Sequence, residues 1–278
     1  MARVLALLGV GVVPADRPAL RADDLGVLRG DGIFESVHVR GGQPWLLDAH
    51  LNRLARSADR LALPLPPRAD LVDLVDQACA AWPSASEAVL RLVCTRGPED
   101  GGPVTVFATV GPVGATQLRG RAEGVAVLTA SLGVPAALRP ASPWLLGGAK
   151  TLSYAVNMAT QRWAVGQGAD DVLWVSTDGY ALEAPTSTLV WLTEGTLCTV
   201  PPEATGILPG TTATWLLDHA DELGLRAEHR MVRPAELHGV EGVWLVSSVR
   251  GPAEVHTLDG AALEPSGETA RVRKLLGY

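Results

Sequence analysis

Of the 23 basic residues in this chain, only Lys150 and Lys274 are lysines. Lys274 stands in the basic run RVRKLLGY, where a solvated charge is the simple reading. Lys150 stands in WLLGGAKTLSYAV, between an apolar run and a predicted helix. Arginine keeps its proton in proteins, whereas a desolvated lysine can shed it and act as a nucleophile. Two readings of Lys150 therefore stand side by side: a reactive amine, or a helix-start lysine whose head reaches solvent. Further along, ILPGTT opens a predicted helix at Thr211 or Thr212, and a helix start offers free amides and a dipole that favour an anion. A plain Thr N-cap is the alternative there. Ser247 and Ser248 could donate to the same anion or merely end a strand. Arg53 offers either a fixed cation or a solvated helix face. Glu183, flanked by Leu182, Ala184 and Pro185, wants a cationic partner.

The elements that must carry these residues read as α+β. In residues 1–113, VLALLGV, IFESVHV and AVLRLVCT are of strand length, and IFESVHV turns through GG toward PWLL. Leu51, Leu54, Ala55, Ala58, Leu61 and Ala62 recur at helical spacing behind Asp48 as an acidic N-cap, with Arg53, Arg56 and Arg60 beside the stripe. A second helical stretch covers 69–82. Residues 114–120 are expected to form an interdomain linker, and residues 121–278 a second domain. That domain opens with GVAVLTASL and a Pro-rich loop. A helix with the apolar stripe Leu152, Val156, Ala159 and Trp163 follows, stopped by Gly166 and Gly168. DVLWVS, TLVWLT, TLCTV and GVWLVSSV are further strands. A helix from Thr211 or Thr212 closes at Gly224.

Several chemistries fail on spacing or composition. GGAKT lacks the P-loop glycines, since Ala149 and Trp144 occupy their places, and GVGVVP has Pro14 where a dinucleotide fingerprint needs a third glycine. The six histidines show no HxxxH or Cys pairing, so no metal site is expected, and there is no GxSxG elbow. The 278 residues carry 30 acidic against 23 basic side chains, a poor balance for binding nucleic acid. No apolar run approaches the roughly 20 residues that span a bilayer, and the apolar opening run reads as a buried strand rather than a signal peptide. Cys79, Cys94 and Cys198 sit far apart in apolar company, as reduced core residues of a cytoplasmic protein. What remains is a lysine, an anion cradle and a carboxylate. Pyridoxal 5'-phosphate requires this set: a Schiff-base lysine, donors for its phosphate, and an acid that keeps its pyridine nitrogen protonated.

On RGDGIFESVHVRGG, LLDAHLNRLARSA, GAKTLSYAVNMA, DDVLWVSTDGYALEAPTSTLVWL, GILPGTT and GVWLVSSVRG, the chain resembles the class IV (fold-type IV) pyridoxal-phosphate family almost end to end. That family comprises branched-chain aminotransferases, D-amino-acid aminotransferases and 4-amino-4-deoxychorismate lyases. This chain is most similar to the lyase and D-amino-acid-aminotransferase-like members. The resemblance implies a small α+β N-terminal domain, a larger barrel-like C-terminal domain that binds the cofactor, and a homodimer. It makes Lys150 the Schiff-base lysine, Arg53 a phosphate ligand and Glu183 the partner of the pyridine nitrogen. Thr211, Thr212 and Ser248 become phosphate donors, Tyr154 a contact of the cofactor's phenolic oxygen, and Leu208 a residue packed on its ring. Phe34, Arg91 and Arg250 are implied to meet a small amino substrate, and Ser36 to assist proton transfer. The expected activity is 4-amino-4-deoxychorismate lyase, releasing p-aminobenzoate and pyruvate for folate synthesis. A class IV aminotransferase acting on D- or branched-chain L-amino acids is the alternative, and a non-catalytic cofactor-binding protein the third reading.

Overall fold

The computed structural model describes residues 3–83 and 86–278, so the first two residues of the apolar opening run lie outside the described residues. The chain forms two compact units, Met1–Gly114 with Ala149–Tyr154, and Ala115–Gly148 with Ala155–Tyr278.

The first unit contains β1 (Val4–Leu7), β2 (Gly11–Val13), α1 (Leu25–Leu28), β3 (Gly32–Arg40), β4 (Gln43–Pro44), α2 (Leu47–Leu61), α3 (Arg68–Ala80), β5 (Ala88–Thr95) and β6 (Thr105–Pro112). Its strands form an antiparallel six-stranded sheet in the order β2-β1-β6-β5-β3-β4. In β3 the odd positions Ile33, Glu35, Val37 and Val39 are buried while Phe34 and Ser36 are half-buried, the period of two that a sheet with one covered face requires. Leu51, Leu54 and Ala58 of α2 and Leu71, Leu74, Val75 and Ala78 of α3 complete this core. Two details differ from the sequence pattern. Asp48 lies inside the first turn of α2 rather than capping it, because Leu46 takes the N-cap with a left-handed φ of 57°. Ala55 and Ala62 face solvent, and Arg53 takes a buried place instead. Strand β6 was not anticipated, although Val106, Ala108 and Val110 alternate into the core.

The second unit begins at α4 (Ala115–Glu123), so residues expected as a linker are largely helical and Gly120 is buried. It continues with β7 (Val125–Ser131), α5 (Leu138–Ala141), α6 (Ala155–Gly166), β8 (Asp171–Val175), β9 (Thr188–Thr193), β10 (Thr196–Thr199), α7 (Pro202–Thr205), α8 (Thr211–Asp218), β11 (Arg226–His229), β12 (Gly242–Ser247), β13 (Gly251–Leu258), β14 (Ala261–Ala262) and α9 (Thr269–Leu275). The sheet runs β11-β10-β9-β12-β13-β7-β8, with β14 on β13. Its centre is antiparallel, and β7, β8 and β11 join in parallel. Strands β8, β9 and β12 are buried almost throughout, around Leu173, Leu189, Trp191 and Leu245. Helix α8 stops at Asp218, and a separate 3-10 turn carries the chain to Gly224. The stripe expected on α6 is not core. The helix starts only at Ala155, Ala164 is its one buried residue, and Val156 and Trp163 are 64% and 46% exposed. No helix among the described residues is long and apolar enough to cross a membrane.

Candidate active site

In the first unit the site is built on β3, α2 and the segment 149–154. The peptide of Lys150 is fixed on both sides: its N–H donates to Ser57 Oγ at 3.0 Å, and its carbonyl accepts from Phe34 N–H at 3.1 Å. An isolated bridge between Ile33 and Thr151 extends this attachment. Lys150 Nζ lies 3.3 Å from the Tyr154 hydroxyl, to which it donates, and 4.5 Å from the Phe34 ring centroid. The Phe34 and Tyr154 rings meet edge to face at 5.1 Å. A π-face attracts the ammonium form and the hydroxyl gives it a defined partner. Lys150, Tyr154 and Phe34 are thus brought together.

The opposite face of β3 presents Glu35, which is fully buried. Arg53 holds it bidentately, Nε to Oε1 at 2.8 Å and Nη2 to Oε2 at 2.6 Å, and His50 Nδ1 lies 2.7 Å from Oε2. His50, Arg53 and Ser57 are spaced three and four apart, so they form one polar stripe along α2. Burial by itself raises the Glu35 carboxyl, but the Arg53 charge and the hydrogen bonds from Arg53 and His50 outweigh it and hold the group at about 2. Burial pushes His50 down, against the pull of Glu35. Arg53 is therefore a fixed cation in the interior rather than a member of a solvated face. Sequence reasoning missed Glu35, His50 and Ser57; the His50–Arg53–Ser57 spacing was the available signal. On the other face, Ser36 is the cross-strand partner of Arg91 on β5, and Arg91 is exposed.

In the second unit, Glu183 is 7% exposed and is held at both oxygens. Arg139 of α5 contacts Oε1 at 3.2 Å, and the backbone N–H of Leu208 donates to Oε2 at 3.0 Å. The cation that Glu183 demanded is Arg139, which the sequence reading did not single out. Leu208 enters through its backbone. Two residues on, α8 begins behind Gly210, which supplies no side-chain cap, and Thr211 and Thr212 are buried in its first turn. A Cβ on Gly210 would lie 2.2 Å from Thr188 Oγ1, so only glycine lets the helix start this close to β9. Thr212 Oγ1 is buried with no hydrogen-bond partner among the described residues. A desolvated hydroxyl in the first turn of a helix, at the positive end of its dipole, suits an anion. Ser248 is half-buried in the turn between β12 and β13. Arg250 in the same turn is committed within the protein, with Nη1 at 2.9 Å from buried Asp171 and Nη2 at 2.7 Å from Ser187 Oγ. Among the described residues no group of three or more His, Cys, Asp or Glu side chains could hold a metal.

Comparison with known proteins identifies the family. The bifunctional aminodeoxychorismate lyase / D-amino acid transaminase of Mycobacterium tuberculosis is 45% identical over 254 residues, covering 88% of each chain. A solved hypothetical aminotransferase from Mycobacterium tuberculosis, in PLP-bound form, superposes with a TM-score of 0.96 at 42% identity, covering 99% of this chain and 98% of that one. A fold IV transaminase from Curtobacterium pusillum gives 0.91 at 36% identity, covering 99% and 97%. The family model for amino-transferase class IV matches residues 32–258, a span that includes the Lys150 segment, the Arg53 stripe and the Glu183 and Thr211 elements. With this match and these site elements, the chain belongs to the class IV aminotransferase family.

Proposed function

We propose that this chain is a pyridoxal-phosphate enzyme acting as a 4-amino-4-deoxychorismate lyase, which releases p-aminobenzoate and pyruvate. The observation that carries the reading is the setting of Lys150, a peptide clamped by Ser57 and Phe34 and an amine aimed at Tyr154. The residues present fit the cofactor. The orphaned Thr212 hydroxyl and the glycine-capped start of α8 suit a phosphate, Arg53 is a buried cation, and Glu183 is a pinned carboxylate. When bound, pyridoxal phosphate supplies an electrophilic carbonyl and a ring that accepts electrons from the substrate carbon bearing the amine.

The protein side chains do the rest. Lys150 would hold the cofactor, and its free amine would take the proton from the amine-bearing carbon of the substrate. The C–O bond to the enolpyruvyl group would then break, the oxygen leaving with the electron pair; the departing enolate would take up a proton to become pyruvate, and the substrate's own six-membered ring would become aromatic. Glu183 has one oxygen on Leu208 N–H and the other beside Arg139, and this buried carboxylate would partner the pyridine nitrogen. Tyr154 receives a hydrogen bond from the lysine. Ser36 assists proton transfer and its cross-strand neighbour Arg91 meets a substrate carboxylate. Arg250, held by Asp171 and Ser187, keeps its turn in place.

A second reading, D-amino-acid transamination, is favoured by two findings: the Mycobacterium tuberculosis relative is a bifunctional aminodeoxychorismate lyase / D-amino acid transaminase, and a solved relative is in an alpha-ketoglutarate and PMP bound form. The two activities share the first proton removal and differ in where the proton returns. Assay of the cofactor-loaded protein with 4-amino-4-deoxychorismate, and separately with D-alanine and 2-oxoglutarate, tests both. Equimolar p-aminobenzoate and pyruvate support the lyase; pyruvate and glutamate from the second mixture alone would replace it by transamination. A homodimer is also part of the proposal, supported by the exposed apolar side chains of α6, since large apolar patches mark interaction surfaces.

A further inference from the structure

The three-residue turn Ser248–Val249–Arg250 joins β12 to β13, with Ser247 and Gly251 paired across its base. All three of its carbonyls are taken by two side chains from distant parts of the second unit. Tyr278, which follows α9, donates its hydroxyl to the Ser248 carbonyl. Arg121 of α4 donates to the other two, Nη2 to Val249 O at 2.7 Å and Nε to Arg250 O at 3.1 Å. The two clamping groups also stack, with the Arg121 guanidinium 4.7 Å from the Tyr278 ring centroid. Gly251 lies under that ring, at φ +76°, and a Cβ there would come within 3.0 Å of it. Arg250 ties the turn to Asp171 and Ser187 through its side chain.

In a planar trans peptide the C=O and the following N–H point in opposite directions. Drawing the carbonyls of Ser248 and Val249 toward Tyr278 and Arg121 therefore turns the N–H groups of Val249 and Arg250 the other way. Those two amides have no acceptor among the described residues. We propose that Tyr278 and Arg121 are positioning residues that hold the 248–250 turn with its donor edge presented to the cofactor phosphate. The inference rests on the reading of Ser248 as a phosphate-side residue. It adds two residues far from it in sequence that act only through the turn.

The test uses the full-length protein freed of cofactor, titrated separately with pyridoxal 5'-phosphate and with pyridoxal and followed by visible absorbance. Tyr278→Phe keeps the ring on Arg121 and Gly251 while removing the hydroxyl, and Arg121→Lys keeps the charge while removing the two-carbonyl grip. Each is expected to weaken pyridoxal phosphate about fivefold, the scale of one hydrogen bond, and to leave pyridoxal unchanged. Equal weakening of both ligands would overturn the proposal, because a general loosening of the fold does not discriminate phosphate. Unchanged phosphate affinity in both variants, with a loss in Ser248→Ala, would overturn the clamp alone. No loss in Ser248→Ala would remove the underlying reading of Ser248, and the proposal with it.

Discussion

Glu35 and Arg53 form an ion pair in which each side chain is at most 5% exposed, and such pairs are far more costly to break than they are stabilising to make. Glu35→Gln is expected to destabilise the protein by about 3–5 kcal/mol at pH 7, read by denaturant unfolding. The pH dependence has a definite sign. A carboxyl held at about 2 instead of 4.5 contributes stability in full above 4.5, which is lost as the pH falls through about 2 and amounts to on the order of 3 kcal/mol. His50, lowered from 6.5 by burial, adds a loss of the same sign that begins below 6.5. Glu35→Gln removes most of the acid slope, so an unchanged slope would show that the pair is not the source. At the cysteines, burial pushes Cys79 up to about 11, with Asp76 adding, and Cys94 up to about 12, with Asp24 adding. Native protein is therefore expected to leave a thiol reagent at pH 8 almost unconsumed until it is unfolded. Lys150→Ala is expected to lose turnover and the visible absorbance of bound cofactor together; turnover without the lysine would remove it from the mechanism.

Helix α8 and strand β9 are one device, because Gly210 lets the helix start beside Thr188. Gly210→Ala is expected to shift that helix start and lower retention of pyridoxal phosphate during dialysis, while pyridoxal binding changes less. At this scale the sequence was most informative where a local pattern decided the outcome. The motif ILPGTT announced a helix beginning at Thr211 or Thr212, and the alternation in IFESVHV announced β3, because both follow from backbone propensity and period. It was least informative where the partner is remote. Nothing near Glu183 identifies Arg139 as its cation, and nothing near Arg53 identifies Glu35, 18 residues away, since both contacts exist only once separate elements pack. The stripe on α6 misled for a related reason: period shows that a face is apolar, not what covers it.

At the scale of the whole molecule, two α+β units and the family were legible because the motifs are spread along almost the entire chain, whereas the path between the units was not. Sedimentation of the purified protein is expected to give a dimer, and a monomer at micromolar concentration would leave the apolar side of α6 without that explanation. The segment Ala149–Tyr154 belongs to the first unit although the residues on either side of it belong to the second. During synthesis, the partners Ser57 and Phe34 emerge long before Lys150, which arrives only after residues 115–148 have been made. Translation therefore imposes an order: residues 1–114 are made before the segment that completes their unit, and on the proposed role of Lys150 a chain stalled anywhere before residue 150 would lack the amine that holds the cofactor.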